Sequence, residues 1–412
     1  MNVAIMGYGV VGSGVAEVLL KNHDSIEKKS TRGSLDLKYI LDIRDFHGDA
    51  NEDIIIKDFN TILNDETIKI VVETMGGLNP AFDYVKSCLE AGKSVVSSNK
   101  ELVAAKGYEL LSIAEEKNVN FLFEASVGGG IPIIRPLSQC LAANEIVEIS
   151  GILNGTTNFI LTKMFNDGLG FEEALRLAQE NGYAEKDPTA DIEGFDACRK
   201  ICILASLVYG KHVYPESVYT EGITKIDYAD VEYARAWGGA IKLIAVAKKL
   251  GENKISAIVS PAFVPCSSQL ASVDDVFNAI LVKGDAIGDV VFYGKGAGKL
   301  PTASAVVADV IDCARHTSKK RFFGWGAAVP DYVIDHLDAE AALYIRALTE
   351  NDEEAIAAAK KVFGEIEVLS RQGAPHGEIA FITSAAVERE LRTKLETLHM
   401  IDTKSVIRIL NE

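Results

Sequence analysis

Through the first 130 residues or so, short apolar runs of strand length alternate with stretches in which apolar positions recur every three or four residues. The runs Val3–Met6, Leu37–Ile43, Ile70–Thr74, Ser94–Ser97 and Asn120–Glu124 predict strands. The spacing of Val15, Val18 and Leu19 and the segments Ala81–Ala91 and Leu102–Lys117 predict helices between them. Strands joined through helices pair in parallel, and the helices then cover both faces of the sheet. The polar stretch His23–Ser34 reads as a long connection within this scheme.

The C-terminal part follows another rhythm. Ala341–Leu348 reads as a strand, Asp352–Phe363 as a helix, Ile366–Arg371 and Glu378–Ser384 as strands, Ala386–Leu398 as a helix and Ser405–Leu410 as a strand. That order is βαββαβ, the ferredoxin-like arrangement. Between the two ends lie apolar helices at Phe159–Phe165, from Gly194 through Cys198, Ile201, Cys202, Leu204 and Ala205, and through Val306, Val307 and Ile311. The fold class is therefore α/β, with domains at residues 1–130 (parallel sheet), 131–320 (α+β) and 335–412 (βαββαβ). Helix 300–316 is expected to pack back onto the first domain.

Composition narrows the function classes. The 412 residues are 48% hydrophobic and 25% charged, enough apolar material for several cores. A net charge of −17 repels phosphate backbones and anionic lipid, so neither nucleic acid nor a membrane surface is an expected partner. No apolar run reaches bilayer length, and Met1–Gly7 enters folded-looking sequence without a basic leader or cleavage site, which makes a cytoplasmic protein the expectation. The six cysteines fit reduced core thiols; Cys198 and Cys202 stand four apart, but no third metal ligand lies near them.

The first strand runs into Gly7-Tyr8-Gly9-Val10-Val11-Gly12 and then a helix, the context in which a GxGxxG turn binds a dinucleotide. Gly7 permits the tight turn, Gly9 admits a pyrophosphate to the backbone, Gly12 lets helix and strand approach, and the amides of Val10 and Val11 open the helix N-terminus. The first domain thus reads as a Rossmann unit. At the end of the second strand, Asp42 would accept from a ribose hydroxyl and favour NAD, whereas Arg44 would pair with a 2′-phosphate and favour NADP.

Other segments carry candidate chemistry. Lys100 follows Ser97-Ser98-Asn99 at the carboxyl end of a strand, where such sheets bind ligands, a position equally open to a solvated lysine. Glu124 precedes Val127, three glycines and Ile131, a bend whose carbonyls would suit a hard cation or serve as a plain turn. Gly151–Asn158, with Thr156, reads as a helix cap and as a polar wall for a small zwitterion, two roles that can hold at once. Between Glu185 and Lys200, five carboxylates and three cations occur within sixteen residues, and Asp196 and Lys200 share a helix face at i,i+4. Beside an apolar stripe such a pair suits proton transfer; as an exposed salt bridge it would do nothing of the kind. Gly296 and Gly298 form a second glycine turn ahead of a helix, either a wall against the cofactor or a tight loop.

Taken in order, Gly7–Gly12, Ser98-Asn99-Lys100, Glu124–Ile133, Gly151–Asn158, Gly182–Lys200 and Gly296–Ser304 resemble the homoserine dehydrogenase family over roughly residues 1–320. The resemblance implies reversible reduction of L-aspartate 4-semialdehyde to L-homoserine with NAD or NADP, in threonine and methionine biosynthesis, by a homo-oligomer, dimer or tetramer. It makes Lys200 the proton donor, places Lys100 beside nicotinamide and substrate, and assigns the substrate ammonium to Glu185 and Asp196, supported by Asp191. It also implies a sodium ion at Glu124 with the carbonyls of Val127, Gly129 and Ile131. The C-terminal domain resembles an ACT domain, often linked to threonine as effector, but Thr349-Glu350-Asn351-Asp352 replaces the usual Pro-Gly turn, so a purely dimerising module is equally open. The competing readings are a dehydrogenase of another small amino-acid aldehyde and a catalytically silent nucleotide sensor.

Overall fold

The computed structural model describes residues 1–30, 34–251, 253–316 and 320–410. Two compact units result, one of Met1–Ile146, Cys202–Pro215 and Phe292–Val329, the other of Val147–Ile201, Glu216–Val291 and Pro330–Glu412.

In the first unit, strands β1 (Asn2–Met6), β2 (Asp36–Leu41), β3 (Ile55–Ile56), β4 (Ile68–Glu73), β5 (Ser94–Ser97) and β6 (Phe121–Leu122) form a parallel sheet in the order β3-β2-β1-β4-β5-β6. Helices α1 (Val10–Lys21), α2 (His23–Ser30), α3 (Phe59–Leu63), α4 (Ala81–Glu90) and α5 (Lys100–Glu116) accompany it. Strand order reverses between β1 and β4, and at that switch point the carboxyl edge opens a crevice for ligands. Val3, Ile5, Val72 and Val96 of the strands pack with Val15 and Leu19 of α1 and with Val306 and Val310 of a later helix, Lys299–Arg315, in one buried cluster. Gly14 is where α1 meets that later helix: an added Cβ would stand 2.9 Å from the Lys299 carbonyl oxygen and 3.1 Å from Ala303 Cβ.

Three local differences from the sequence pattern have physical causes. Residues 23–30 of the supposed connection are helix α2, because Ile26 is buried in the same cluster and anchors an otherwise polar turn; residues 31–33 lie outside the described set. Strand β3 and helix α3 are too short to show a period, and Asp58 caps α3 by accepting from the Asn60 amide. Strand β6 stops at Leu122, since Phe123 leads into a tight turn over Glu124–Ser126.

The chain continues through β7 (Ile146–Ile152), α6 (Gly155–Asp167), α7 (Phe171–Glu180), α8 (Thr189–Ile192), α9 (Phe195–Tyr209), β8 (Tyr219–Thr220), α10 (Tyr228–Trp237), β9 (Gly239–Lys249), β10 (Ile255–Pro265), β11 (Phe277–Gly284) and β12 (Gly288–Lys295). After α11, the helix Lys299–Arg315 already met, come β13 (Glu340–Ala341), β14 (Leu343–Thr349), α12 (Asp352–Phe363), β15 (Ile366–Leu369), β16 (Glu378–Thr383), β17 (Ala386–Val387), α13 (Glu388–Glu396) and β18 (Ile401–Ile409). One mixed sheet runs β12-β11-β7-β9-β10-β18-β14-β16-β15, with β8 beside β10.

The C-terminal βαββαβ order is thus observed, as β14-α12-β15-β16-α13-β18, but it does not form a third separate unit. Strand β18 pairs with β10 through Ala262↔Arg408 and Phe263↔Ile409, which makes the two sheets continuous. A buried ion network reinforces the join. Arg346 of β14 donates to Asp230 of α10 at 2.7 Å and to Glu378 of β16 at 3.4 Å, while Tyr344 Oη donates to Asp230 at 3.0 Å. Arg408 likewise joins Glu388 at 2.7 Å to Glu221 at 3.1 Å.

Candidate active site

The nucleotide end is built by the β1–α1 turn. Gly7 has φ +95°, and a Cβ there would meet the Thr74 backbone at 2.9 Å. A Cβ on Gly12 would lie 1.9 Å from the Gly7 carbonyl oxygen, so no other residue fits. At Gly9, by contrast, a Cβ would meet nothing within 4 Å, which leaves open the approach to the first turn of α1, where the amides of Val10 and Val11 lie. Those features fit a dinucleotide pyrophosphate.

At the end of β2, Asp42 Oδ2 accepts from the Tyr8 amide at 2.7 Å, and Arg44 grips the same carboxylate through Nε at 3.0 Å and Nη2 at 2.8 Å. The Arg44 guanidinium beside Asp42 holds its carboxyl well below the usual carboxylate range. Arg44 also lies 5.2 Å over the Phe46 ring, which meets the Tyr8 ring edge-on at 5.0 Å. The two residues read from sequence as rival ribose and phosphate contacts are therefore one bidentate pair.

Lys100 is the first residue of α5, half-buried, with Asn99 as N-cap accepting from the Leu102 amide at 3.1 Å. Further along, the two glycine turns press together. A Cβ on Gly129 would stand 2.3 Å from the Gly296 carbonyl oxygen, and the Gly130 amide donates to Lys295 at 3.1 Å. Close backbone packing is thus what glycine at 129 serves, and Gly298, at φ +126°, opens α11.

Glu124 is buried, and its carboxylate accepts from the amides of Ile133, Ile134 and Arg135 at 2.5, 2.8 and 2.9 Å. Its own amide donates to Asp309, whose carboxyl is pushed up to about 7 by burial and then by the Glu124 charge. The Glu124 side chain thus anchors three amides, two on Oε1 and one on Oε2, next to the segment that carries the carbonyls of Val127, Gly129 and Ile131 in the expected cation set. Among the described residues no three His, Cys, Asp or Glu side chains group to hold a metal.

The second unit holds a compact polar cluster at the N-termini of α6 and α9. Lys200 Nζ donates to Asp196 Oδ2 at 2.7 Å, the i,i+4 pair of the sequence pattern, and to the Leu153 carbonyl oxygen at 2.7 Å. Both side chains are close to nine-tenths buried, so this is no solvated surface bridge. Asn154, the N-cap of α6, accepts from the Thr157 amide and donates to Asp191 at 2.7 Å and Asp196 at 2.9 Å. Asp191 is pushed up by burial and then by the Asp196 charge. Thr156 Oγ1 donates to the Tyr183 carbonyl oxygen at 2.7 Å. Among the described residues, two carboxylates stand near the Lys200 ammonium in this pocket, an acidic setting that suits a further cation. Glu185 stands on the exposed loop after α7, where its carbonyl accepts from Gln179. Asn154 is the hub that residue spacing missed: its capping role is legible, but two carboxylates 37 and 42 positions away are not.

A doubly wound sheet with an open glycine turn, and a lysine held in a buried carboxylate cluster, define a nicotinamide-dependent dehydrogenase. The family profile described as "Homoserine dehydrogenase" matches residues 132–311, and that described as "Homoserine dehydrogenase, NAD binding domain" matches residues 7–124. The homoserine dehydrogenase of Neisseria gonorrhoeae is 36% identical over 98% of this chain and 96% of its own length. The chain belongs to the homoserine dehydrogenase family and is an oxidoreductase of that activity. Among solved structures, a homoserine dehydrogenase from Thiobacillus denitrificans superposes with TM-score 0.88 at 35% identity, covering 100% of this chain and 98% of that one. A hyperthermophilic archaeal homoserine dehydrogenase in complex with NADPH gives TM-score 0.64 at 30% identity, over 76% of this chain and 97% of that one.

Proposed function

We propose that Lys200 is the proton donor in the reduction of L-aspartate 4-semialdehyde to L-homoserine and the base in the reverse direction. The observation that carries this is the Lys200 ammonium bonded to Asp196 and the Leu153 carbonyl inside a buried acidic pocket. A bound reduced nicotinamide supplies the hydride. Negative charge then develops on the former aldehyde oxygen, and Lys200 both stabilises it and gives it a proton. Glu185 and Asp196 take the substrate ammonium, supported by Asp191, which Asn154 bridges to Asp196, and Thr156 completes the amino-acid end. Fixing that ammonium orients the carbonyl before the transfer. Lys100, at the carboxyl edge of the parallel sheet, belongs beside the nicotinamide and the substrate. A cation at Glu124 and the carbonyls of Val127, Gly129 and Ile131 takes no part in these steps.

Purified protein is expected to reduce nicotinamide robustly with L-homoserine, assayed side by side with NAD and NADP. No turnover with either, in protein that binds the cofactor, would shift the assignment to another amino-acid aldehyde. For cofactor choice, Arg44→Ala is expected to weaken NADP binding about tenfold or more, the worth of a charge-assisted bond, and NAD binding far less. Equal losses for both cofactors would reject Arg44 as the phosphate reader.

The βαββαβ module reads as ACT-like. The first turn of α12 carries Asp352, Glu353 and Glu354, which repel a carboxylate ligand from that helix end and favour a dimerising over a threonine-sensing role. The reading includes a homo-oligomer in the cytoplasm; among the described residues no helix is long and apolar enough to cross a membrane.

A further inference from the structure

Glu73 closes β4 at the switch point of the parallel sheet, with no exposed surface. Burial pushes its carboxyl up from the ordinary range. A carboxylate in such a place costs stability unless donors surround it, and an apolar side chain of like volume would serve the core as well. Here the donors come from the two loops that leave the carboxyl edge. Oε1 accepts from the amides of Met75 at 2.8 Å and Gly76 at 3.3 Å, in the loop after β4. Oε2 accepts from Ser97 Oγ at 2.6 Å, the residue paired with it in register on β5. Ser97 Oγ in turn accepts from the Asn99 amide at 3.0 Å, and Asn99 Nδ2 donates to the Gly77 carbonyl oxygen at 2.7 Å. Asn99 Oδ1 caps α5, whose first residue is Lys100. On the other side, Thr74 Oγ1 donates to the Gly7 carbonyl oxygen at 2.8 Å, so the phosphate turn has its own, separate tether.

We propose that Glu73 is the positioning residue for Lys100: its buried carboxylate locks the loop Met75–Gly77 to the turn Ser97–Asn99, and so fixes where α5 begins and where the Lys100 side chain leaves the sheet edge. The proposal rests on the role assigned to Lys100 above. Because the phosphate turn hangs on Thr74, Glu73 governs the reacting end of the site and leaves cofactor affinity nearly untouched.

The test compares Glu73→Gln, Ser97→Ala and Lys100→Ala, singly and as the pairs with Lys100→Ala, in the full-length protein. NADPH affinity is read by fluorescence, and kcat and KM with L-homoserine by initial rates. Glu73→Gln is expected to lower kcat about tenfold, since small misplacements at a reacting centre carry large rate penalties, with NADPH Kd within about threefold of the parent. Ser97→Ala should follow in the same direction with a smaller loss. In the Lys100→Ala background either change should cost less than about twofold more, because groups that act through one another are not additive. That non-additivity is a signature general destabilisation would not give. Parent-like kcat in both Glu73→Gln and Ser97→Ala, with Lys100→Ala impaired, overturns the positioning role alone. So does a loss that multiplies fully with that of Lys100→Ala. Parent-like turnover in Lys100→Ala overturns the role of Lys100 and this inference with it. Should Glu73→Gln fail to fold, the Ser97→Ala cycle decides by the same criteria.

Discussion

Lys200→Ala is expected to lower kcat by about 10²–10⁴-fold, the usual contribution of a positioned general acid, while the protein still folds and still binds its cofactor. The reason is geometric. Lys200 lies in a pocket with Asp191, Asp196 and Asn154, and its Nζ is placed by two bonds of 2.7 Å. Removing it deletes both the charge that meets the developing alkoxide and the proton that quenches it. Lys200→Arg separates these contributions: a guanidinium keeps a cation beside Asp196 but does not give up its proton. The arginine variant should therefore fold at least as well as the alanine variant and still turn over about a hundredfold more slowly than the parent. Circular dichroism, NADPH binding and initial rates in both directions check this. Near-native rates in Lys200→Ala would sink the proton-donor role, and high activity in Lys200→Arg alone would reduce that role to charge stabilisation.

The largest stability effect is expected from Arg346→Met. Arg346 is 7% exposed and Asp230 is fully buried, so removing the guanidinium leaves a carboxylate with no counter-charge at 2.7 Å. Breaking one side of a buried pair costs about 3–5 kcal/mol, against at most about 1 kcal/mol for an exposed one. Glu378 is affected too, though Arg371 still bonds it at 2.8 Å. The expected readout is a denaturation midpoint lower by roughly 10 °C, at about 2–4 °C per kcal/mol for a unit of this size. Asp230→Asn added to Arg346→Met should recover part of the loss, because it removes the stranded charge. A midpoint within a degree or two of the parent would show that the Arg346–Asp230 pair contributes little to holding the C-terminal strands to the rest of their sheet.

The elements and residues that sequence spacing captured are those whose partners lie close along the chain. Strand β1, the turn Gly7–Gly12 and helix α1 follow within twenty residues, and each glycine has a local reason to be there. Asp196 and Lys200 are one helical turn apart, so their contact needs only that α9 be a helix. Helix α12 begins and ends at the residues expected, with Asn351 capping it. By contrast, α2 was hidden because only one of its residues is strongly apolar, and β18 begins four residues earlier than its pattern because Ile401–Lys404 is a polar stretch recruited by pairing with β14.

By itself the sequence determined the two folding rhythms, the dinucleotide turn and the lysine–carboxylate pair, because each is written in local period or spacing. Only the tertiary structure decided that Asp42 and Arg44 are one ion pair, that Glu124 anchors three amides, that Asn154 joins two aspartates, and that Glu73 ties the loops before Lys100. It also decided that the C-terminal module shares a sheet and a buried ion network with its neighbours. The physical reason is common to all of these. A buried polar group must find its donors wherever the fold brings them, across intervals that carry no period in the chain.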